Sequence, residues 1–190
     1  AWPLDEARAV AYLEKATREA KAHTSWTSPD EEYDAAARRF VEGALADEAF
    51  MREVESFVQP LIRPGWINAL SQVLVKLTAP GVPDIYQGTE LWSLHLVDPD
   101  NRRPVDYDLR RRALAEVKTL SPEVVWQRAD EGLPKLWVVH QALALRARRP
   151  ELFGTEGAYA PLMAAGACAQ HLLAFVRGGG SITIIPRLVH

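Results

Sequence analysis

Apolar residues recur every three to four positions from Pro3 to Pro80, the period of helices that bury one face. On the first segment Val10, Leu13, Thr17 and Ala20 form a moderately apolar stripe that fades near His23. Ser28-Pro29-Asp30-Glu31 then reads as a capping box with proline at the first helical position, the Ser28 hydroxyl taking an orphan backbone N–H while Glu31 reaches back. Tyr33, Ala36, Ala37, Phe40, Val41, Ala44 and Leu45 follow on one face. Asp47 is placed to cap a third helix with Phe50, Val54, Phe57, Val58 and Leu61 inward, which Pro60 and Pro64 are expected to end. A fourth helix is expected after Gly65, with Trp66, Leu70, Val73, Leu74 and Leu77 as its stripe and Ala79-Pro80 as its stop.

Beyond Pro80 the pattern changes. Val82-Pro-Asp-Ile-Tyr86 is short and β-branched enough for one buried strand, and a loop runs from it to Val105. Asp106 caps a basic helix from about Tyr107 to Lys118, and Pro134 opens a longer one in which Leu133, Leu136, Trp137, His140, Leu143 and Ala147 share a face. After Arg149-Pro150 the helical period disappears. Gly157 to Pro161, Gln170 to Arg177 and Ser181 to Pro186 read as strands, the last two joined by Gly178-Gly-Gly180 as a hairpin turn. The fold class is therefore α+β and predominantly helical. Two or three strands rarely make a stable sheet alone, and the chain lacks an initiator methionine and stops at His190 in a β-rich stretch, so a longer protein is expected.

Composition narrows the function classes. The 190 residues are 48% hydrophobic and 25% charged, with 22 basic and 25 acidic side chains evenly mixed for a formal charge of −3. Such a surface has no basic face for a phosphate backbone and no polybasic tail for a membrane, so neither nucleic acid nor lipid is an expected partner. The single Cys168 forms no internal disulfide and no signal peptide is legible, which points to the cytoplasm. His23, His95, His140, His171 and His190 show no metal-ligand or nucleophile–base spacing, and the triple glycine lacks the lysine of a phosphate loop.

Candidate chemistry concentrates between Pro80 and Asp106. Asp84, Glu90, Asp98, Asp100 and Asp106 lie within about two dozen residues, and glycoside chemistry needs two facing carboxylates, roughly 5–5.5 Å apart when configuration is retained. The same residues also suit plain roles: an Asx turn at Asp98 and Asp100, a helix cap at Asp106, a strand start at Asp84. The forks of Arg102 and Arg103 match paired oxygens on a carboxylate or on adjacent sugar hydroxyls. Tyr86, Trp92 and Trp26 offer flat apolar faces with a polar handle, suited to sugar rings and equally to packing.

Pro80-Gly-Val-Pro-Asp-Ile-Tyr-Gln-Gly-Thr-Glu-Leu-Trp92 and Leu96-Val-Asp-Pro-Asp-Asn-Arg-Arg-Pro-Val-Asp106 closely resemble the maltooligosyl trehalose synthase family, part of the α-amylase superfamily. The resemblance extends through Lys21 to Trp26 and Ala147 to Gly154, so it covers nearly all of the chain. It implies a late piece of a β/α barrel: a helical subdomain over residues 1–64, the last barrel strand, substrate loop and barrel helix over 65–150, and the start of a C-terminal β domain over 151–190. The implied reaction turns the reducing-end α-1,4 bond of a maltooligosaccharide into an α,α-1,1 bond by intramolecular transglycosylation. The family's three catalytic carboxylates lie upstream of Ala1, so no catalytic residue is expected in this chain, and neither metal nor cofactor is implied. Tyr86, Gln87, Glu90, Asp98, Asp100, Asn101, Arg102 and Arg103 would shape the reducing-end side of the pocket, with His23 and Trp26 helping to cover it. The implied partners are the maltooligosaccharide and the upstream barrel, and an exposed barrel edge would favour self-association. Other classes the residues leave open are a stand-alone helical interaction or carbohydrate-binding module and another α-amylase superfamily hydrolase.

Overall fold

The computed structural model describes residues 4–189; Pro3 and His190 lie outside the described residues. The chain divides into two compact units, one built from residues up to Pro60 together with Leu94–Pro104, the other from Leu61–Ser93 together with Val105 onward.

In the first unit, Asp5 opens helix α1 (Glu6–Ala20) by accepting the Arg8 amide, and Lys21 ends it in the left-handed conformation. Helix α2 (Glu31–Ala46) packs along α1. It starts one residue pair later than the capping-box reading puts it: Asp30 is the cap, taking the Tyr33 amide, because Ser28 is spent on a turn in which its amide meets Ser25 Oγ and its carbonyl takes the Ser25 amide. Thr24, buried beneath this turn, accepts the Asp30 amide at 3.0 Å.

Asp47 caps helix α3 through the Ala49 and Phe50 amides, and α3 runs unbroken from Glu48 to Thr78. Pro60 and Pro64 do not end it. An interior proline loses one backbone bond and strains the turn before it, costing about 3 kcal/mol, but these two lie four apart, so both losses fall on one face of the helix. What continues through them is a half-buried to buried stripe of Met51, Val54, Val58, Ile62, Trp66, Leu70, Val73 and Leu77, at helical spacing throughout. The inward set expected for the first part is correspondingly different, since Phe50, Phe57 and Leu61 are exposed. Pro60 is also exposed, so Pro60→Ala is expected to restore the missing bond and stabilise α3 locally by up to about 3 kcal/mol. Amide exchange around Gln59 to Ile62 should slow; unchanged exchange would show that the helix carries no penalty there.

The second unit holds two apolar clusters. One gathers Leu91 with Ala113 and Val117 of α4 (Tyr107–Val117), Val125 of α5 (Pro122–Gln127), and Leu133 and Leu136 of α6 (Leu133–Arg148). The other joins Val73 and Leu77 of α3 to Val139 and Ala142 of α6, with Ile85 against it. Side chains buried to this degree contribute about 1.5–3 kcal/mol each. Asp106 caps α4 as expected, while α5, with Ser121 as cap and Pro122 in its first turn, was not anticipated. Nor was α7 (Pro150–Phe153). The inner face of α6 includes Val139 and Ala142, whereas Leu143 and Ala147 face outward.

Val82–Tyr86 makes no ladder with any strand among the described residues and is an extended linker, Pro80 and Pro83 having no N–H to offer a sheet. The sheet is formed later, by β1 (Tyr159–Leu162), β2 (Leu172–Arg177) and β3 (Ser181–Pro186) in antiparallel order β1-β2-β3, with Phe175 opposite Thr183 and Leu173 opposite Ile185. The β2–β3 turn is the triple glycine, where Gly178 has φ +54° and a Cβ there would lie 2.7 Å from the Leu152 side chain. One sheet face buries Phe175, Arg177, Thr183 and Ile185; on the other, Ile182 and Ile184 are exposed.

Arg177 is 2% exposed and has no carboxylate partner among the described residues. Its Nη1 donates to the carbonyl of Thr78 at 3.2 Å and its Nη2 to that of Gly157 at 3.1 Å. Arg146 Nη1 donates to Leu77 O at 3.0 Å, and both guanidiniums lie over the Phe153 ring. Two arginines thus meet the last carbonyls of α3, where the helix dipole places partial negative charge.

Candidate functional site

The candidate residues fall into both units. In the first, the 94–104 segment is fastened to α1 by one side chain. Arg8 donates through Nε to Asp100 Oδ1 at 2.9 Å and through Nη2 to Asp100 Oδ2 at 2.8 Å, and Nη2 also reaches the Leu94 carbonyl at 2.8 Å. Asp100 Oδ2 further accepts the Leu96 amide at 2.8 Å. Both side chains are nearly excluded from water, at 10% and 4% exposure. Paired with Arg8, and additionally with the Leu96 amide, the Asp100 carboxyl is held far below the usual carboxylate range despite its burial, and Arg8 is raised in return. A carboxyl so placed stays ionised and delivers no proton near neutral pH.

Asp100 therefore anchors the loop, and Arg102 and Arg103 are what the loop shows to solvent. Arg102 pairs with Asp98 across one 3₁₀ turn, and Arg103 sits 3.6 Å from Asp100 Oδ1 while its side chain remains 55% exposed. Asn101 Oδ1 is buried with no hydrogen-bond donor among the described residues. Trp26 is 55% exposed at the tip of the Thr24–Asp30 turn, with the Arg18 guanidinium 4.8 Å from its ring centre and Arg18 itself held by Asp34. His23 stacks on Tyr33 with ring centres 4.9 Å apart.

In the second unit, Tyr86, Gln87 and Glu90 lie on a tight turn closed by the Thr89 amide and hydroxyl, both donating to the Tyr86 carbonyl. Tyr86 and Gln87 are exposed. Glu90 accepts Arg110 Nε at 3.2 Å. Lys135 Nζ donates to Leu91 O at 3.3 Å, and burial, with Lys76 nearby, lowers its pKa. Trp92 stacks on Trp66 at 6.0 Å between centres and gives its indole N–H to Ala129 O, so its face is occupied by packing. Asp84 is exposed on the linker and Asp106 is spent as the α4 cap.

Sequence reading missed Arg8, Arg110 and Lys135. Arg8 and Asp100 are 92 positions apart, and a charged residue on a helix carries no local sign of so distant a partner. The first unit presents the exposed guanidiniums of Arg102 and Arg103 and the Trp26 ring, and the second the exposed Tyr86 and Gln87, beside carboxylates already paired with arginine. Such groups suit binding of hydroxyl-rich molecules by forked hydrogen bonds and ring stacking. No cluster of His, Cys, Asp and Glu among the described residues could hold a metal ion, and no helix there is long and apolar enough to cross a membrane.

No protein-family model matches the chain. A Mycobacterium tuberculosis protein carrying the provisional name maltooligosyl trehalose synthase is 39% identical over an alignment of 193 positions that covers 98% of this chain and 23% of that protein. Among solved structures, one of maltooligosyl trehalose synthase superposes with a TM-score of 0.85 at 32% identity over 95% of the chain, and that from Arthrobacter ramosus with 0.80 at 40% identity over 98%. The chain is a homologue of one segment of maltooligosyl trehalose synthase. It spans about a quarter of the length of the maltooligosyl trehalose synthases it matches, in their C-terminal region. The loops described above lie inside the matched stretch, which is nearly all of this chain.

Proposed function

We propose that this segment supplies substrate-binding loops to a maltooligosyl trehalose synthase, which isomerises the reducing-end α-1,4 bond of a maltooligosaccharide to an α,α-1,1 bond by intramolecular transglycosylation. The observation that carries the reading is the 94–104 loop: Asp100 is committed to Arg8, and the side chains of Arg102 and Arg103 stay exposed to meet a sugar, with Asn101 beside them. A retaining transfer needs a nucleophile and an acid/base. Here those carboxylates belong to a part of the enzyme upstream of Ala1, and this segment positions sugar and keeps water out. Tyr86, Gln87, Glu90 and Asp98 complete the reducing-end wall, and Trp26 and His23 cover it. In the same reading residues 1–64 are a helical subdomain, 65–150 the end of the β/α barrel and 151–190 the start of a β domain; the enzyme is cytoplasmic, and the severed segment self-associates.

Purified chain incubated with maltopentaose is expected to leave the reducing ends intact and to bind the sugar only weakly by isothermal titration. Formation of a trehalose-ended product by the chain alone would place the chemistry here and overturn the reading, and tight binding would favour a free-standing carbohydrate-binding module. Grafted into the Arthrobacter ramosus enzyme in place of its own segment, the chain should sustain isomerisation, and Arg102→Ala with Arg103→Ala in that graft should raise KM by roughly tenfold or more.

A further inference from the structure

We propose that Arg110 is a positioning residue that sets the Tyr86–Glu90 turn for a saccharide; this rests on the proposed function above. The turn hangs between two apolar anchors. Ile85 packs against the Val73, Leu77, Val139 and Ala142 cluster, and Leu91 is 7% exposed in the cluster of α4, α5 and α6. Five residues separate those anchors, too many for packing at the ends to fix the middle.

Arg110, on the first turns of α4, fixes it. Its Nη2 donates to Gly88 O at 2.6 Å, its Nε to Glu90 Oε2 at 3.2 Å and its Nη1 to Asp106 O at 3.1 Å. One rigid fork therefore ties the centre of the turn, the side chain at its end and the cap of α4, a geometry the flexible ammonium of lysine cannot span. The turn backbone fits closely against this anchor. Gly88 has φ +80°, and a Cβ there would lie 2.9 Å from Val105 Cγ2 and 3.2 Å from Arg110 Nη2. The Arg110 side chain is 18% exposed, beneath the turn, while Tyr86 and Gln87 are exposed. Arg110 thus acts through Gly88 and Glu90, and needs no sugar contact of its own.

The test is an NMR titration of the full chain with maltotetraose, with amide exchange measured on the same samples, comparing wild type with Arg110→Met and Arg110→Lys. Wild type should show sugar-dependent shifts at Tyr86 to Glu90 and at Asn101 to Arg103. Arg110→Met should weaken the sugar response at Tyr86 to Glu90 roughly tenfold, the scale of reordering a few freed side chains on binding, while amide protection outside that turn stays as in wild type. The Thr89 amide should exchange faster, and Arg110→Lys should fall between. A merely structural role would weaken the response together with general loss of protection beyond the turn, and that result overturns the proposal, as does wild-type behaviour of Arg110→Met. If wild type shows no sugar-dependent shift even at sugar concentrations high enough to register weak binding, the proposed function fails together with the saccharide role, whereas unchanged Thr89 exchange in Arg110→Met sinks the anchor itself.

Discussion

Arg8→Met is expected to lower the stability of the first unit by about 3 kcal/mol, the lower end for breaking a buried ion pair, because Asp100 is left charged and unpaired. The lower end applies because Arg8 keeps a 10% exposed side chain and some solvent would reach the orphaned carboxylate. Arg8→Met also frees the Leu94 carbonyl, so the Leu96 and Asp100 amides should lose protection first, and exchange at those two positions is the measurement. The double variant Arg8→Met, Asp100→Leu should recover much of the loss, since it removes both charges together. A double variant no better than the single one would mean that the pair is not the source of the effect.

The same pair carries a pH signature. Asp100 titrates lower in the folded chain than in the unfolded one, so its contribution is fully present above the unfolded carboxyl value, about 4, and fades as pH falls below it. Protection of the Leu96 amide should therefore hold from neutral pH to about 4 and decline on further acidification; the decline should vanish in the double variant.

Arg177→Met should destabilise the second unit by about 3 kcal/mol. The substitution keeps the length of the side chain but leaves the Thr78 and Gly157 carbonyls without donors, each costing about 1–3 kcal/mol when buried. It also removes the contact with Phe153. Relief from burying a cation offsets part of this, which keeps the net below the sum. Arg177→Lys can serve only one carbonyl well and should lie between. Amide exchange in β2 and at the C-terminal end of α3 would report the loss, and a methionine variant as protected as wild type would show that the two carbonyls find other donors.

How much of this was legible beforehand depends on distance along the chain. Caps announce themselves locally: Asp47 and Asp106 are where their residue types place them. Ser28 misled because a second cap candidate, Asp30, lies two residues on, and the Ser28 backbone is held in the Ser25 turn, which leaves the cap to Asp30. The continuity of α3 was readable in the stripe from Met51 to Leu77, which keeps helical spacing across both prolines; weighting proline above periodicity hid it. Val82–Tyr86 has strand composition, but a strand exists only through its neighbours, and none of the described residues pairs with it. In the candidate site the exposed side chains were foreseeable from turn chemistry and from family resemblance. Their anchors, Arg8 for Asp100 and Arg110 for Gly88 and Glu90, were not, because the partner of each lies on an element that only the fold brings near.

The three glycines of the β2–β3 turn differ in what they would tolerate. Gly178 and Gly180 lie against Leu152, whereas nothing approaches within 4 Å of the position a side chain would take at Gly179, whose φ of +67° suits asparagine. The middle glycine is therefore the one of the three with room for a side chain, open to asparagine at the strain its positive φ imposes, and its neighbours on either side are the wrong ones to touch.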